Sequence, residues 1–300
     1  MTHFGGHAPR SIAGSIVPAL LGAFLLCLAV RCPADAPPHT LTGDFCLHPR
    51  FHSRFLRAER DVLVFLPPGY DAGSKRCYPV LYLQDGQNLF DGATSFLPGQ
   101  EWRVDETATA VITRGVIEPL IIVGVYNVGN DRIEEYTPTR AGAGIAQGRG
   151  GGAAAYGRML TEELKPYIDR HYRTRTDAAH TGVGGSSLGG LVSLWLGLQY
   201  PKTFGRLACL STSAWWDDRA IVRQVRALPA RPPGRIWLDI GTAEDADSVA
   251  AVRDLRDALA AKGWKPGVDL GYYEAPGAQH NEAAWAARVG PMLTFLFPKE

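Results

Sequence analysis

The 300-residue sequence has no charge excess of either sign: 31 Lys and Arg stand against 30 Asp and Glu, a formal net charge of +1. Without a basic patch to hold a phosphate backbone, a nucleic-acid partner is excluded, and there is no acidic tail. Cysteine is scarce at five residues, too few for a disulfide framework. No Cys-x-x-Cys occurs, and no helix carries a His-x-x-x-His or His-Glu-x-x-His pair, so no metal site is signalled. Repeats of 20 to 50 residues and low-complexity linkers are missing, which excludes solenoids and bead-like domain strings. What is present is ordinary globular material, 46% hydrophobic and 10% aromatic, rich enough to build a sizeable core.

Residues 1–36 read as a segment for export. Arg10 precedes residues 11–30, which carry no charge, and Ala34-Asp35-Ala36 fits a small-x-small cleavage site. An uncleaved anchor helix is the competing reading, since the stretch approaches the ~20 residues that span a bilayer. Pro18 and Gly22 favour a signal peptide. The protein is therefore expected to be secreted or periplasmic, touching a membrane only if the leader stays attached, with residues 37–300 as one domain. Cys46, Cys77 and Cys209 remain after cleavage. Three thiols are the preferred reading over a Cys46–Cys77 bridge.

Along the rest of the chain, short apolar runs alternate with helical stretches. Strands are expected at residues 61–66, 79–83, 120–126, 180–184, 206–210, 235–240 and 270–274. Helices are expected at 156–171, 188–200, 248–262 and 281–297. In the third, Val249, Val252, Leu255 and Leu259 form a stripe at helical spacing. Such alternation implies an α/β fold, a mainly parallel sheet with helices on both faces. Residues 141–157 stand apart with seven glycines and six alanines. They read as a surface loop, with a flap over a pocket as the functional alternative.

The chemistry centres on Gly185-Ser186-Ser187-Leu188-Gly189, a Gly-x-Ser-x-Gly between an apolar strand and an apolar helix. A serine on this turn is held in a strained conformation at a helix N-terminus, where the Leu188 amide and the helix dipole meet a developing oxyanion. A dinucleotide loop does not fit: Ser187 stands where the third glycine belongs. Serine needs a base, and in this design the partners follow in the order Ser, acid, His. His39, His48 and His52 precede the sheet. His171 closes a helix, and His180 opens the nucleophile strand at its far edge. His280, on a loop after the last strand, is left as the base. Glu244, Asp245 and Asp247 lie past the preceding strand. Asp247 best suits a helix cap. Glu244 is the preferred acid and Asp245 its rival. The second oxyanion amide is expected at Gln87, after Gly86 in the loop that follows an earlier strand.

These residues resemble the esterase family that includes esterase D and the enterochelin esterases, with feruloyl and acetylxylan esterases and mycolyltransferases as relatives. The resemblance covers about residues 57–298. It rests on Tyr-Pro-Val-Leu-Tyr-Leu-Gln-Asp-Gly-Gln-Asn-Leu-Phe at 78–90, Arg-Ile-Glu-Glu-Tyr-Thr-Pro at 132–138, Gly-Ser-Ser-Leu-Gly-Gly at 185–190, Ser-Thr-Ser-Ala-Trp-Trp at 211–216 and His-Asn-Glu-Ala-Ala-Trp at 280–285. It implies an α/β-hydrolase fold without cofactor, with Ser187 as nucleophile, His280 as base, and Gln87 and Leu188 as oxyanion amides. Among relatives the acid is Asp or Glu. No counterpart of the extra N-terminal domain of the larger enterochelin esterases is expected, which makes their substrate less favoured. The expected activity is a serine carboxylic-ester hydrolase working through an acyl-enzyme on a small-molecule or glycan ester. Trp102, Arg132, Tyr136, Trp215 and Trp216 are candidates for the substrate wall. The alternatives are an acyltransferase using the same acyl-enzyme and an inert cell-envelope binding protein on the same scaffold.

Overall fold

Apolar runs without polar alternation form strands that are covered on both faces. The computed structural model describes residues 38–70, 75–142 and 148–299. The leader therefore lies outside the described residues. In chain order the elements are β1 (Asp44–Phe51), β2 (Arg60–Leu66), β3 (Val80–Gln84), α1 (Val104–Thr113), β4 (Ile121–Val125), α2 (Arg132–Tyr136) and α3 (Ala153–Arg158). The last continues through wider π-helical turns at Met159–Leu164 into α4 (Lys165–His171). Then come β5 (Thr181–Ser186), α5 (Leu188–Gln199), β6 (Arg206–Leu210), α6 (Trp216–Ala227), β7 (Arg235–Gly241), α7 (Ala246–Lys262), β8 (Leu270–Ala275) and α8 (Glu282–Leu296).

The eight strands form one sheet in the order β1-β2-β4-β3-β5-β6-β7-β8. β1 and β2 are antiparallel to their neighbours, and the strands from β4 to β8 run parallel. Side chains alternate between the two faces. In β3, Val80 and Tyr82 enter one core and Leu81 and Leu83 the other. The first core is closed by α3 to α7, the second by α1 and α8, through residues such as Val104, Ile112, Val289 and Leu293. Both faces being covered explains why the parallel strands lack polar alternation.

Four elements differ from the sequence expectation. β1 contains Pro49, which removes a ladder donor; it survives because the strand is an edge with a register shift between His48 and Phe51. α1, with its Thr and β-branched residues, and the short α2 have weak helical patterns. α6 opens with Asp217, Asp218 and Arg219 in left-handed conformations, a start that no cap residue announces. Asp245, not Asp247, caps α7, accepting from the Ser248 amide at 2.9 Å. The helix begins earlier than its apolar stripe, and Asp247 instead pairs with Arg219 at the surface. Cys46, Cys77 and Cys209 are free thiols. Among the described residues no helix is long and apolar enough to cross a membrane. Of the glycine-rich segment, residues 143–147 lie outside the described residues. Gly150 is tied down, its amide donating to Glu134 at 3.0 Å.

Candidate active site

β5 ends at Ser186 and α5 begins at Leu188, so Ser187 alone makes the turn. Its φ of 57° and ψ of −124° lie where non-glycine residues rarely go, and the surroundings must impose them. They do so through three backbone bonds. The Ser187 amide donates to Leu210 O at 3.0 Å, and its carbonyl accepts from the amides of Ser213 (3.0 Å) and Leu191 (3.1 Å). Glycine at 185 is required by packing, since a Cβ there would lie 2.9 Å from Gln84 Cβ and 3.0 Å from the Gly189 carbonyl carbon. The Ser187 hydroxyl is half-buried and lies 3.3 Å from Ser213 Oγ. Leu188 opens α5, so its amide is among the first-turn donors that no helical carbonyl satisfies.

His280 stands on the loop between β8 and α8, and Asn281 caps that helix, accepting from the Ala284 amide at 2.9 Å. The His280 Nδ1 lies 2.7 Å from Glu244 Oε2. Trp285, one turn into α8, meets the imidazole edge-on at 5.0 Å between ring centres. The Glu244 carboxylate is 1% exposed, the imidazole 43%. Burial works to raise the Glu244 pKa, but hydrogen bonds from His280, Ser211 and the Gly241 amide outweigh it and hold the carboxyl below its usual range. An ionised Glu244 accepts only, so Nδ1 carries a proton and donates it to the carboxylate, which leaves Nε2 as the nitrogen not engaged by Glu244. Asp245, the rival acid, is committed to its cap.

Ser187 and His280 line the same cleft of about 380 Å³, together with Gln87, Asp85, Arg132 and Glu282. Its outer wall includes Phe96, 80% exposed, and Leu97. The turn at Gly86–Asn88 brings Gln87 to the cleft. Gly86 is required there, because a Cβ would sit 2.6 Å from the Gly124 carbonyl carbon in β4. Asp85, in a left-handed conformation, takes both Nε and NH2 of Arg132 at 2.8 Å and Asn127 Nδ2 at 2.7 Å. Burial opposes the Arg132 charge, and Asp85 more than offsets it, so the guanidinium pKa is raised. Burial, joined by repulsion from Asp85, raises that of Glu282.

Of the expected substrate wall, Arg132 alone lines this cleft. Trp102, Tyr136 and Trp216 are at most 2% exposed and serve packing. Trp102 lies against Trp285 at 5.6 Å, the Tyr136 hydroxyl accepts from the Asp85 amide, and Trp216 Nε1 donates to Thr139 O. Trp215 is 41% exposed but outside the cleft lining. Aromatic motif residues bury easily, and only tertiary context separates wall from core. Sequence reasoning assigned no role to Asp85, Asn127, Glu282, Trp285 or Ser211. All but Asn127 sit inside the quoted motifs, which was the available signal.

A mainly parallel sheet with helices on both faces, and a serine at the strained turn from strand to helix, define an α/β-hydrolase. Comparison with known proteins narrows this. The family described as "Putative esterase" matches residues 53–296, so the chain belongs to that family and is a carboxylic ester hydrolase. It is similar to the uncharacterized protein YbbA of Bacillus subtilis, 27% identical over 202 residues that cover 65% of this chain and 73% of YbbA. Ferri-bacillibactin esterase BesA of the same organism is 31% identical over 159 residues, 49% of this chain and 52% of BesA. Among solved structures, an IroE-like serine hydrolase from Shewanella oneidensis superposes with a TM-score of 0.69 at 23% identity, over 85% of this chain and 80% of that one, a likeness of fold.

Proposed function

We propose that the protein hydrolyses carboxylic esters through a Ser187–His280–Glu244 triad and an acyl-enzyme. The observation that carries this reading is the 2.7 Å bond from His280 to a buried Glu244, at the cleft lined by the strained Ser187. His280 Nε2 takes the Ser187 proton as Oγ attacks the ester carbonyl, and the oxyanion is met by the amides of Gln87 and Leu188. His280 then gives its proton to the leaving alcohol. Water, deprotonated by the same nitrogen, attacks the acyl-enzyme, and Ser187 leaves with the proton. A cleft of about 380 Å³ suits a small-molecule ester or the tip of a glycan ester; BesA, by its name, is an esterase for ferri-bacillibactin. The uncharged stretch at residues 11–30 supports a secreted or periplasmic location for residues 37–300, which we take to be one esterase domain.

The test uses the full chain with a fluorophosphonate label and p-nitrophenyl acetate. Labelling at Ser187, and turnover that falls on the order of 10⁴-fold in Ser187→Ala and His280→Ala, is expected. A folded protein with neither labelling nor turnover overturns the reading in favour of an inert scaffold. Acyl transfer to added alcohols faster than hydrolysis overturns it in favour of an acyltransferase.

A further inference from the structure

We propose that Ser211 is a positioning residue for ester hydrolysis: its hydroxyl is locked from α8 so that its single proton is forced onto Glu244, which fixes the acid and through it the His280 ring. The proposal rests on the triad reading above.

Ser211 follows β6 directly and is 1% exposed. A hydroxyl has one proton and two lone pairs. Three partners surround this one. Trp285 Nε1 and Arg288 NH2, both from α8, approach its oxygen at 3.0 Å each, and Glu244 Oε1 lies at 2.5 Å. Indole and guanidinium nitrogens only donate, so they fill both lone pairs. The proton is left one destination, the Glu244 carboxylate. With the Gly241 amide donating to the same Oε1 at 2.9 Å, that oxygen is saturated, and Oε2 is left to face His280. The carboxylate thus has one orientation and one free acceptor.

The backbone indicates that the site was built to hold this hydroxyl. Ser211 has a φ of 41°, a left-handed conformation that a non-glycine residue adopts only when its surroundings impose it. Its amide holds that geometry by donating to Asp239 O at 3.0 Å and Asp239 Oδ1 at 3.1 Å. Asp239 is fully buried and also accepts from Trp237 Nε1 at 2.7 Å. It neutralises Arg288 across 2.9 Å, so the cation that reaches Ser211 brings no uncompensated charge into the core. A glycine at 211 would meet the backbone requirement without strain, so the serine is there for its hydroxyl. Trp285 joins the two halves of the device: it meets the His280 ring edge-on and donates to the serine that holds the acid. One helix therefore aligns the base directly and its carboxylate partner through Ser211.

The test compares the full-length wild type with Ser211→Ala and Ser211→Gly on p-nitrophenyl acetate. It also follows the far-downfield proton resonance of the His280 Nδ1–H bonded to Glu244. The glycine variant removes the hydroxyl while relieving the backbone, so it remains informative if the alanine variant folds poorly. Both are expected to lose about ten- to hundredfold in kcat with KM within about twofold. The downfield resonance should broaden or move upfield, which a purely structural loss would not produce in a folded protein. Folded Ser211→Gly with wild-type kcat and an unshifted resonance overturns the proposal while leaving the triad intact, provided Ser187→Ala and His280→Ala are inactive. If His280→Ala retains wild-type turnover, the triad reading falls and this proposal with it.

Discussion

Replacing Glu244 with Gln separates the two carboxylates that compete for one role, and the outcome follows from hydrogen-bond inventory. Glu244 Oε1 accepts from the Gly241 amide and the Ser211 hydroxyl, whereas Oε2 faces His280 Nδ1 at 2.7 Å. In Glu244→Gln the amide oxygen must take the Oε1 place, because two donors point there. The amide NH2 is then turned on His280. Facing a donor, Nδ1 must give up its proton and accept, which moves the ring proton to Nε2 and leaves no lone pair toward Ser187. An enzyme whose base holds the wrong tautomer loses on the order of 10⁴ in kcat, about 5 kcal/mol of transition-state stabilisation. Asp245→Asn removes no contact with His280. Asn is itself a good cap, so stability should change by less than about 1 kcal/mol and activity should persist. Steady-state kinetics on a short-chain aryl ester, with thermal melts to verify folding, decides the matter. A folded Glu244→Gln enzyme within tenfold of wild type would refute the reasoning, and inactivation by Asp245→Asn would transfer the role to the rival.

Three further outcomes follow. Gly86→Ala pushes a Cβ into the backbone of central strand β4 at 2.6 Å, so the Gln87 turn must shift; kcat should fall on the order of 10²-fold, and an unchanged kcat would remove Gln87 from the oxyanion site. Arg60 and Glu135 form a bidentate pair with side chains 0% and 7% exposed; Arg60→Ala should cost about 3–5 kcal/mol in urea denaturation by stranding the carboxylate, and a loss under about 1 kcal/mol would contradict this. Burial pushes the Asp105 carboxyl up to about 7, helped by Glu106 and opposed by the Thr42 amide and hydroxyl. A carboxyl with a raised pKa takes up its proton more readily in the folded state, so its stabilising contribution is complete below about pH 4 and disappears as pH rises through 7. The stability of wild type relative to Asp105→Asn should therefore decline over that window, and a flat difference would sink the argument.

The parallel strands and the long helices were legible because a sheet covered on both faces demands uninterrupted apolar runs, as in β4, and a covered helix demands a stripe, as in α7. β1 was not legible: an edge needs no such run, and Pro49 argues against a strand until the neighbouring irregularity is seen. In the site, strand–turn–helix order pointed to Ser187, and chain order pointed to His280 and the Glu244–Asp245 pair, which the structure gathers at the carboxyl edge of the sheet. Within that pair the sequence preferred Glu244 by a narrow margin, since adjacent carboxylates look alike until one, Asp245, is seen to accept from Ser248. Trp102, Tyr136 and Trp216 showed the opposite failing. An indole or phenol has the same letter whether it faces a ligand or a core, and burial depends on chain segments far away in sequence.

The strand order has a consequence for how the chain comes to be made. β3 sits at the middle of the sheet, and one of its two neighbours is β5, so Val80 must wait for Thr181 to be synthesised before that side is covered. During translation the nascent chain exposes one unmated edge of a five-residue strand that is hydrophobic in all but Gln84, a template for adhesion to other chains. This molecule should therefore depend on holdase chaperones while it emerges, and its recovery from denaturant should drop steeply with protein concentration.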